Sequence, residues 1–316
     1  MEEEVIINVE HLTKDYGYGR GVFDVSIKVH KGECYGYLGP NGAGKSTTIR
    51  HIMGFSKPTK GKIEIFGLNS FNNTHKILAK VGYLPGEPAI PLGLDGMGFL
   101  RMMQDMRGER NDERLNYLLD LFRLNPNVSV KSMSLGEKRK LAVVAAFMND
   151  PDVLILDEPT SGLDPVMQQV FIHFIIDEKK RGKTILLSSH IFSEVDATCD
   201  TISIIKDGIH VSTFKAADLK EGDIATYNIR FRKLEDAKKY AGTKHPSFEV
   251  VGVNNGRKIV TVKVKRDLYL DFFKSLRGIN VAEFSEKPFT LQDYFMSFYK
   301  EEKTFAGLSG VEGNKK

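Results

Sequence analysis

Apolar and polar side chains alternate through Val5-Ile6-Ile7-Asn8-Val9 and again through Val25-Ser26-Ile27-Lys28-Val29, with a glycine-rich turn at 17–21 between them. A period of two predicts half-buried antiparallel strands. The pattern then changes. Cys34-Tyr35-Gly36-Tyr37-Leu38 reads as a buried strand and is followed by a glycine-rich loop; Ser46 to Met53 reads as the start of a helix. Buried strand, glycine loop and helix together open a parallel α/β unit. Residues 92–130 turn helical and polar, with Met97, Met102, Met103 and Met106 close together. Beyond residue 150 the buried-strand pattern returns at Val153–Leu156 and Thr184–Ser188, with a helix predicted over Pro165–Lys180.

Past about residue 220 the texture differs. Ala225–Arg232 reads as a strand and Leu234–Ala241 as a helix, and Phe248–Val253 and Lys258–Val264 form a hairpin around Asn254-Asn255-Gly256. Asp267–Arg277 is helical, Val281–Phe284 a strand and Leu291–Lys300 a last helix. This order, β-α-β-β-α-β-α, predicts a small α+β ferredoxin-like sandwich over 221–303. It follows an α/β domain at 1–220 and precedes a Gly- and Lys-rich tail, 304–316, expected to be flexible.

Composition narrows the class. Of 316 residues, 41% are hydrophobic and 27% charged, which excludes global disorder. Two cysteines, Cys34 and Cys199, are too few for a disulfide framework and fit a reducing compartment. The opening MEEEVIINVE is acidic where a signal peptide is basic, and the apolar runs fall short of the ~18 residues that cross a bilayer. The expectation is a soluble chain that conducts nothing across a membrane by itself. The formal charge is +4; residues 221–316 carry 18 Lys/Arg against 13 Asp/Glu, and residues 1–220 carry 27 against 28. So small a basic excess gives no reason to expect nucleic acid as a partner.

Gly39-Pro40-Asn41-Gly42-Ala43-Gly44-Lys45-Ser46 fits the phosphate-loop pattern in full, and Thr47 continues the helix start. Glycines let successive backbone N–H groups converge on phosphate oxygens, and the following helix directs its positive end at the same anion. Lys45 is placed to reach the β- and γ-phosphates, and the Ser46 hydroxyl to ligate Mg²⁺. Val153-Leu154-Ile155-Leu156-Asp157-Glu158 is a buried strand that ends in two carboxylates. An α/β sheet presents its ligand-binding groups at that end. Asp157 is the candidate to hold Mg²⁺, and Glu158 to act as general base on the attacking water. By itself, an apolar run ending in Asp-Glu is equally well read as a strand cap.

Three further segments change the weight of that pair. Ser161-Gly162-Leu163-Asp164 follows Glu158-Pro159-Thr160, His190 ends Thr184-Ile185-Leu186-Leu187-Ser188-Ser189, and Met133-Ser134-Leu135-Gly136-Glu137-Lys138 lies upstream. Together with the phosphate loop these resemble the ATP-binding cassette ATPases of ABC transporters over residues 5 to about 220. The order is that of phosphate loop, signature motif, acidic strand, D-loop and switch histidine. Tyr16 matches the family's aromatic residue that stacks on adenine. The resemblance implies two cassettes packed head to tail with ATP between them. Ser134 and the Gly136 backbone would then touch the γ-phosphate of ATP held by the partner, and His190 would orient the water. A serine before a helical pattern is also an ordinary N-cap, and that reading of Ser134 stays open.

The resemblance further implies ATP and Mg²⁺ as cofactors, a separately encoded membrane permease, a second nucleotide-binding domain as partner, and a place on the cytoplasmic face of the membrane. The 221–303 unit looks like the accessory domain of exporter-type cassettes. The sequence departs from the family in two places. Its signature reads Met-Ser-Leu-Gly-Glu in place of Leu-Ser-Gly-Gly-Gln, which puts Glu137 close to the expected partner nucleotide. Gly86 stands where the Q-loop glutamine is expected, with Glu87 beside it as a water-mediated metal ligand or a turn cap. The methionines at 97–106 fall in the segment that faces the permease in this family, where adaptable thioethers suit an irregular apolar partner. Filling the core of a small helical unit is the favoured reading of these methionines, and the two roles are compatible.

Overall fold

A computed structural model describes residues 4–220, 224–287 and 290–296. The expected tail at 304–316, and residues 297–300 of the last expected helix, lie outside the described residues. The chain divides into two compact units, Met1–Ala216 and Ala217–Lys316.

The first unit contains strands β1 (Val5–Asp15), β2 (Gly21–His30), β3 (Cys34–Leu38), β4 (Lys60–Ile65), β5 (Leu68–Asn69), β6 (Val81–Leu84), β7 (Val153–Asp157), β8 (Thr184–Ser189), β9 (Thr201–Lys206) and β10 (Ile209–Lys215). Its helices are α1 (Lys45–Ile52), α2 (Thr74–Leu78), α3 (Gly96–Arg107), α4 (Asp112–Leu121), α5 (Leu135–Phe147), α6 (Pro165–Lys180) and α7 (Phe192–Thr198). A further short helix, α8 (Ala216–Lys220), runs across the division between the units. Among the described residues the strands join in the order β5-β4-β1-β2-β10-β9-β3-β8-β7-β6.

Two kinds of strand make up this sheet, and the residue pattern separates them. β1 and β2 pair antiparallel, as their alternation predicts, and their buried positions (Ile7, Val9, Val25, Ile27, Val29) share a core with Tyr35, Tyr37, Ile49 and Ile52. β3, β7 and β8 are buried at every position and run parallel to one another, as continuous apolar strands covered on both faces do. In register, Leu38 lies opposite Ser189 and Asp157 opposite Ser188. Gly39, Glu158 and His190 are therefore each the first residue past the carboxyl end of adjacent parallel strands. That is the edge where an α/β sheet binds ligands.

The second unit contains β11 (Ile224–Phe231), α9 (Leu234–Gly242), β12 (Phe248–Asn254), β13 (Ile259–Lys265), α10 (Tyr269–Ser275) and β14 (Val281–Lys287); residues 291–296 are also helical. The sheet order β12-β13-β11-β14, antiparallel throughout, is that of a ferredoxin-like sandwich. Ala237, Tyr240 and Phe272 of the helices pack on Ile229, Phe231, Val260, Val262 and Val264, and the Tyr240 and Ser275 hydroxyls bond at 2.9 Å. The β12–β13 turn differs in detail from expectation. Asn254 pairs with Ile259, the Asn254 side chain accepts from the Arg257 N–H at 3.0 Å, and Lys258 takes the left-handed conformation (φ +57°). A four-residue loop places its positive φ just before the return strand, so Gly256 does not take that role.

Candidate functional site

The loop after β3 is shaped by two glycines in the left-handed region, Gly42 (φ +83°) and Gly44 (φ +104°). Gly44 caps α1, and the helix start has no side-chain cap and no acidic residue in its first turn. Its free N–H groups and dipole are thus left for an external anion. The loop also lies tight against the sheet: a Cβ on Gly39 would come 2.4 Å from the Ile205 carbonyl oxygen.

Three polar side chains meet beside this loop. Lys45, 5% exposed, donates from Nζ to the Gly39 and Pro40 carbonyls at 2.7 and 3.1 Å and pairs with Glu158 Oε1 at 2.9 Å. The other Glu158 oxygen, Oε2, is 2.6 Å from His190 Nδ1. Glu158 is 16% exposed and His190 42%, so the arrangement opens to solvent on the histidine side. The Glu158 backbone sits in the left-handed region at φ +49°, a conformation that costs a non-glycine residue about 1–3 kcal/mol. It is held there by its N–H, directed to the Ser188 carbonyl oxygen at 3.1 Å and to Ser188 Oγ at 3.2 Å, and by Arg139, which donates to its carbonyl. The Ser188 hydroxyl also donates to Asp157 Oδ1.

Lys45 and Glu158 line a cavity of about 500 Å³ together with Tyr16, Asn41, Gly42, Gly44, Ser46 and Thr47; His190 and Asp157 are not part of its lining. Tyr16 is about half exposed, and Lys14 Nζ lies over its ring 5.6 Å from the centroid. The lining also includes Arg20, Gly21, Asp207 and Gly208, which the sequence reading missed. The signal was present for two of them: Asp207-Gly208 is a turn dipeptide between two apolar strands.

Asp157 is buried, and its second oxygen faces Gly86: a Cβ there would sit 3.0 Å from Asp157 Oδ2. The missing side chain leaves room beside that oxygen. Among the described residues no group of three or more His, Cys, Asp or Glu side chains converges on one point. A single carboxylate and a hydroxyl suit Mg²⁺, which keeps water and phosphate oxygens as most of its ligands. Glu87 is exposed.

Ser134 and Gly136 do not line this cavity. Ser134 caps α5: its Oγ accepts from the Glu137 N–H at 3.2 Å, while Glu137 Oε2 accepts from the Ser134 N–H and hydroxyl, each at 2.8 Å. This reciprocal capping box, worth about 1 kcal/mol, folds the Glu137 carboxylate back on its own helix end. The structure therefore realises the N-cap alternative for Ser134. A Cβ on Gly136 would lie 3.2 Å from the Gly162 carbonyl, so the start of α5 abuts the Ser161–Asp164 segment of the same chain.

Behind the site Glu194 is buried on α7, with Oε2 accepting from the Ser189 hydroxyl. Burial pushes its carboxyl up to about 7, with the Glu158 charge adding to the rise; hydrogen bonds from Ser189 and Thr160 and the Arg139 charge oppose it. A carboxyl raised on folding contributes stability while protonated, and loses it as pH climbs from the ordinary value of 4.5 through about 7. Glu194→Gln is expected to raise the melting temperature at pH 8, through a gain in stability of no more than about 3.5 kcal/mol at ~1.4 kcal/mol per unit. The gain should vanish toward pH 4.5. Thermal unfolding across that range checks it; a pH-independent gain contradicts it.

A second, apolar groove of about 440 Å³ lies between β6, α3 and α5, lined by Tyr83, Pro85, Ile90, Phe99, Met103, Met106 and Ala142, among others. Met103 and Met106 of the methionine group reach it; Met97 and Met102 do not. No helix among the described residues is long and apolar enough to cross a membrane.

A glycine phosphate loop, an acidic strand end and a histidine at three neighbouring carboxyl ends define a P-loop nucleotide-binding cassette. The ABC transporter family profile matches residues 22–161. The bacitracin transport ATP-binding protein BcrA of Bacillus licheniformis is 39% identical over 208 residues, 64% of this chain and 67% of that protein. An uncharacterized ABC transporter ATP-binding protein of Bacillus subtilis, YhcH, is 29% identical over 305 residues, 95% of this chain and 98% of its own. A solved ATP-binding subunit of an ABC transporter superposes with a TM-score of 0.63 at 31% identity, covering 68% of this chain and 92% of the other. The chain belongs to the ATP-binding proteins of the ABC transporter family, whose cassettes are ATPases.

Proposed function

We propose that this chain is the ATP-hydrolysing subunit of an ABC exporter, working as a dimer of cassettes on the cytoplasmic face of the membrane beneath a separately encoded permease. The observation that carries the reading is the meeting of Lys45, Glu158 and His190 beside an uncapped helix N-terminus, with Lys45 and His190 each within 3 Å of Glu158. Bacitracin transport and Nod factor export in the names of relatives favour export. The 221–303 unit would be the accessory domain.

In this reading Tyr16 stacks on the adenine, and Asn41 to Thr47 hold the phosphates from the loop that Gly39 and Pro40 open. Mg²⁺, held by Ser46 and Asp157, would neutralise charge on the transferred phosphate. Lys45 exchanges its carbonyl and Glu158 partners for phosphate oxygens. This frees Glu158 Oε1 to take a proton from the attacking water, while His190, on the other oxygen, keeps the carboxylate aimed. Ser134 and the Gly136 N–H, at the positive end of α5, meet the γ-phosphate held by the partner. In the capping box the Ser134 hydroxyl donates to the Glu137 carboxylate, a bond it would exchange for one to the phosphate.

The permease would seat on the groove lined by Met103 and Met106. Co-expression with a candidate six-span permease tests this. Met103→Asp with Met106→Asp is expected to abolish copurification while ATP turnover of the isolated chain stays within about twofold, because neither residue lines the nucleotide cavity. Undiminished copurification would overturn the docking surface. A wild-type chain without ATPase activity would overturn the enzyme assignment.

A further inference from the structure

Arg139 lies five residues beyond Ser134 on α5 and is 2% exposed. Among the described residues no carboxylate forms an ion pair with it. Its guanidinium instead donates to five backbone carbonyls from two separate segments. Nη1 reaches Pro85 at 2.6 Å and Gly86 at 3.0 Å, just past β6; Nε reaches Pro159 at 3.0 Å, and Nη2 reaches Asp157 at 3.1 Å and Glu158. A buried guanidinium is costly unless every donor is used, and here each donating nitrogen has a partner. The acceptors are not arbitrary backbone. Three of them are consecutive and centred on Glu158, whose left-handed backbone has to be held in place by its surroundings.

The two ends of this arrangement are rigidly joined. Ser134 and Arg139 are about 7.5 Å apart along one helix at ~1.5 Å per residue, and α5 is clamped at its start by the Ser134–Glu137 box. A shift of the helix end therefore carries the guanidinium, and with it the carbonyls on either side of Glu158. We propose that Arg139 is a positioning residue: it couples the seating of Ser134 on nucleotide held by a second copy of the chain to the aim of Glu158 on the chain's own nucleotide. The inference rests on the reading of Ser134 and Glu158 given above. It makes hydrolysis at one site depend on occupancy of the other.

The test uses the full chain with Arg139→Met, Arg139→Lys and Arg139→Gln, measuring ATP turnover against ATP concentration, binding of a fluorescent ATP analogue and thermal unfolding. Arg139→Met is expected to lower kcat by about 10- to 100-fold, the scale of a misaimed catalytic group, with analogue affinity within about twofold of wild type. The Hill coefficient for ATP should fall from above 1 to about 1. Lysine keeps the charge but is a point donor that cannot span two segments, so Arg139→Lys should be nearly as slow; the planar amide of Arg139→Gln should recover part of the loss. If the methionine variant does not fold, the lysine and glutamine variants carry the same comparison. An unchanged kcat and Hill coefficient in the folded variants, a loss confined to KM, or a non-cooperative wild type would each overturn the coupling. A wild-type chain with no ATP turnover would instead overturn the reading on which it rests.

Discussion

Glu158→Gln is expected to slow ATP hydrolysis by on the order of 10²- to 10⁴-fold, the usual worth of a general base, and to leave an ATP-bound dimer that persists. The amide has nearly the carboxylate's volume, and its oxygen can still accept from Lys45, now 2.9 Å from Oε1. It cannot take a proton from water. On the other side, the oxygen 2.6 Å from His190 Nδ1 can be replaced by an NH₂, so the histidine keeps a hydrogen-bond partner. Binding and dimer closure should therefore survive while the chemical step fails. Phosphate release measures the first part, and light scattering with ATP present measures the second. Turnover like that of wild type would remove Glu158 from the role of base.

Lys45→Ala should reduce turnover by at least about 10²-fold, the loss typical of deleting one preorganised charge-stabilising donor, and should also weaken nucleotide binding. The side chain is buried against the loop it serves, with the Gly39 and Pro40 carbonyls as its partners. Alanine leaves both carbonyls without that donor and leaves Glu158 without its cation. A melting curve close to wild type would show that the loss is chemical; unchanged ATPase activity would sink the phosphate-loop reading. The two substitutions also differ in kind. Glu158→Gln should preserve affinity for ATP and Lys45→Ala should not, so titration with a fluorescent analogue separates them.

Much of this site could be read from the chain because its chemistry is local. The glycine spacing of the phosphate loop needs no distant partner to be recognised, and the buried strand Val153–Asp157 carries its carboxylates at its own end. Their direct contact could not be derived that way: that Glu158 meets both Lys45 and His190 follows from the strand order, whereas the sequence reading placed each only toward the phosphates or the attacking water. Arg139 shows where sequence reading stops. Within Lys138-Arg139-Lys140 it looks like one cation on a solvated helix face, yet it is the buried one, because the fold brings two carbonyl-rich turns over that side of α5. Arg20, Gly21, Asp207 and Gly208 escaped for a similar reason, since the part of the lining they form pairs turns from opposite ends of the cassette. Ser134 was legible only as a choice between two roles, and the capping box shows the one it takes without a partner cassette.

The backbone of Glu158 has a further consequence for how such a chain can change. Glycine would occupy that φ without penalty, so the residue read as the base stands where natural selection for robustness alone would favour having no side chain at all. A glycine here would relieve the backbone but leave buried Lys45 without its anion and the cassette without the residue read as its base. A lineage that keeps its transporter working has to find its extra stability elsewhere in the chain.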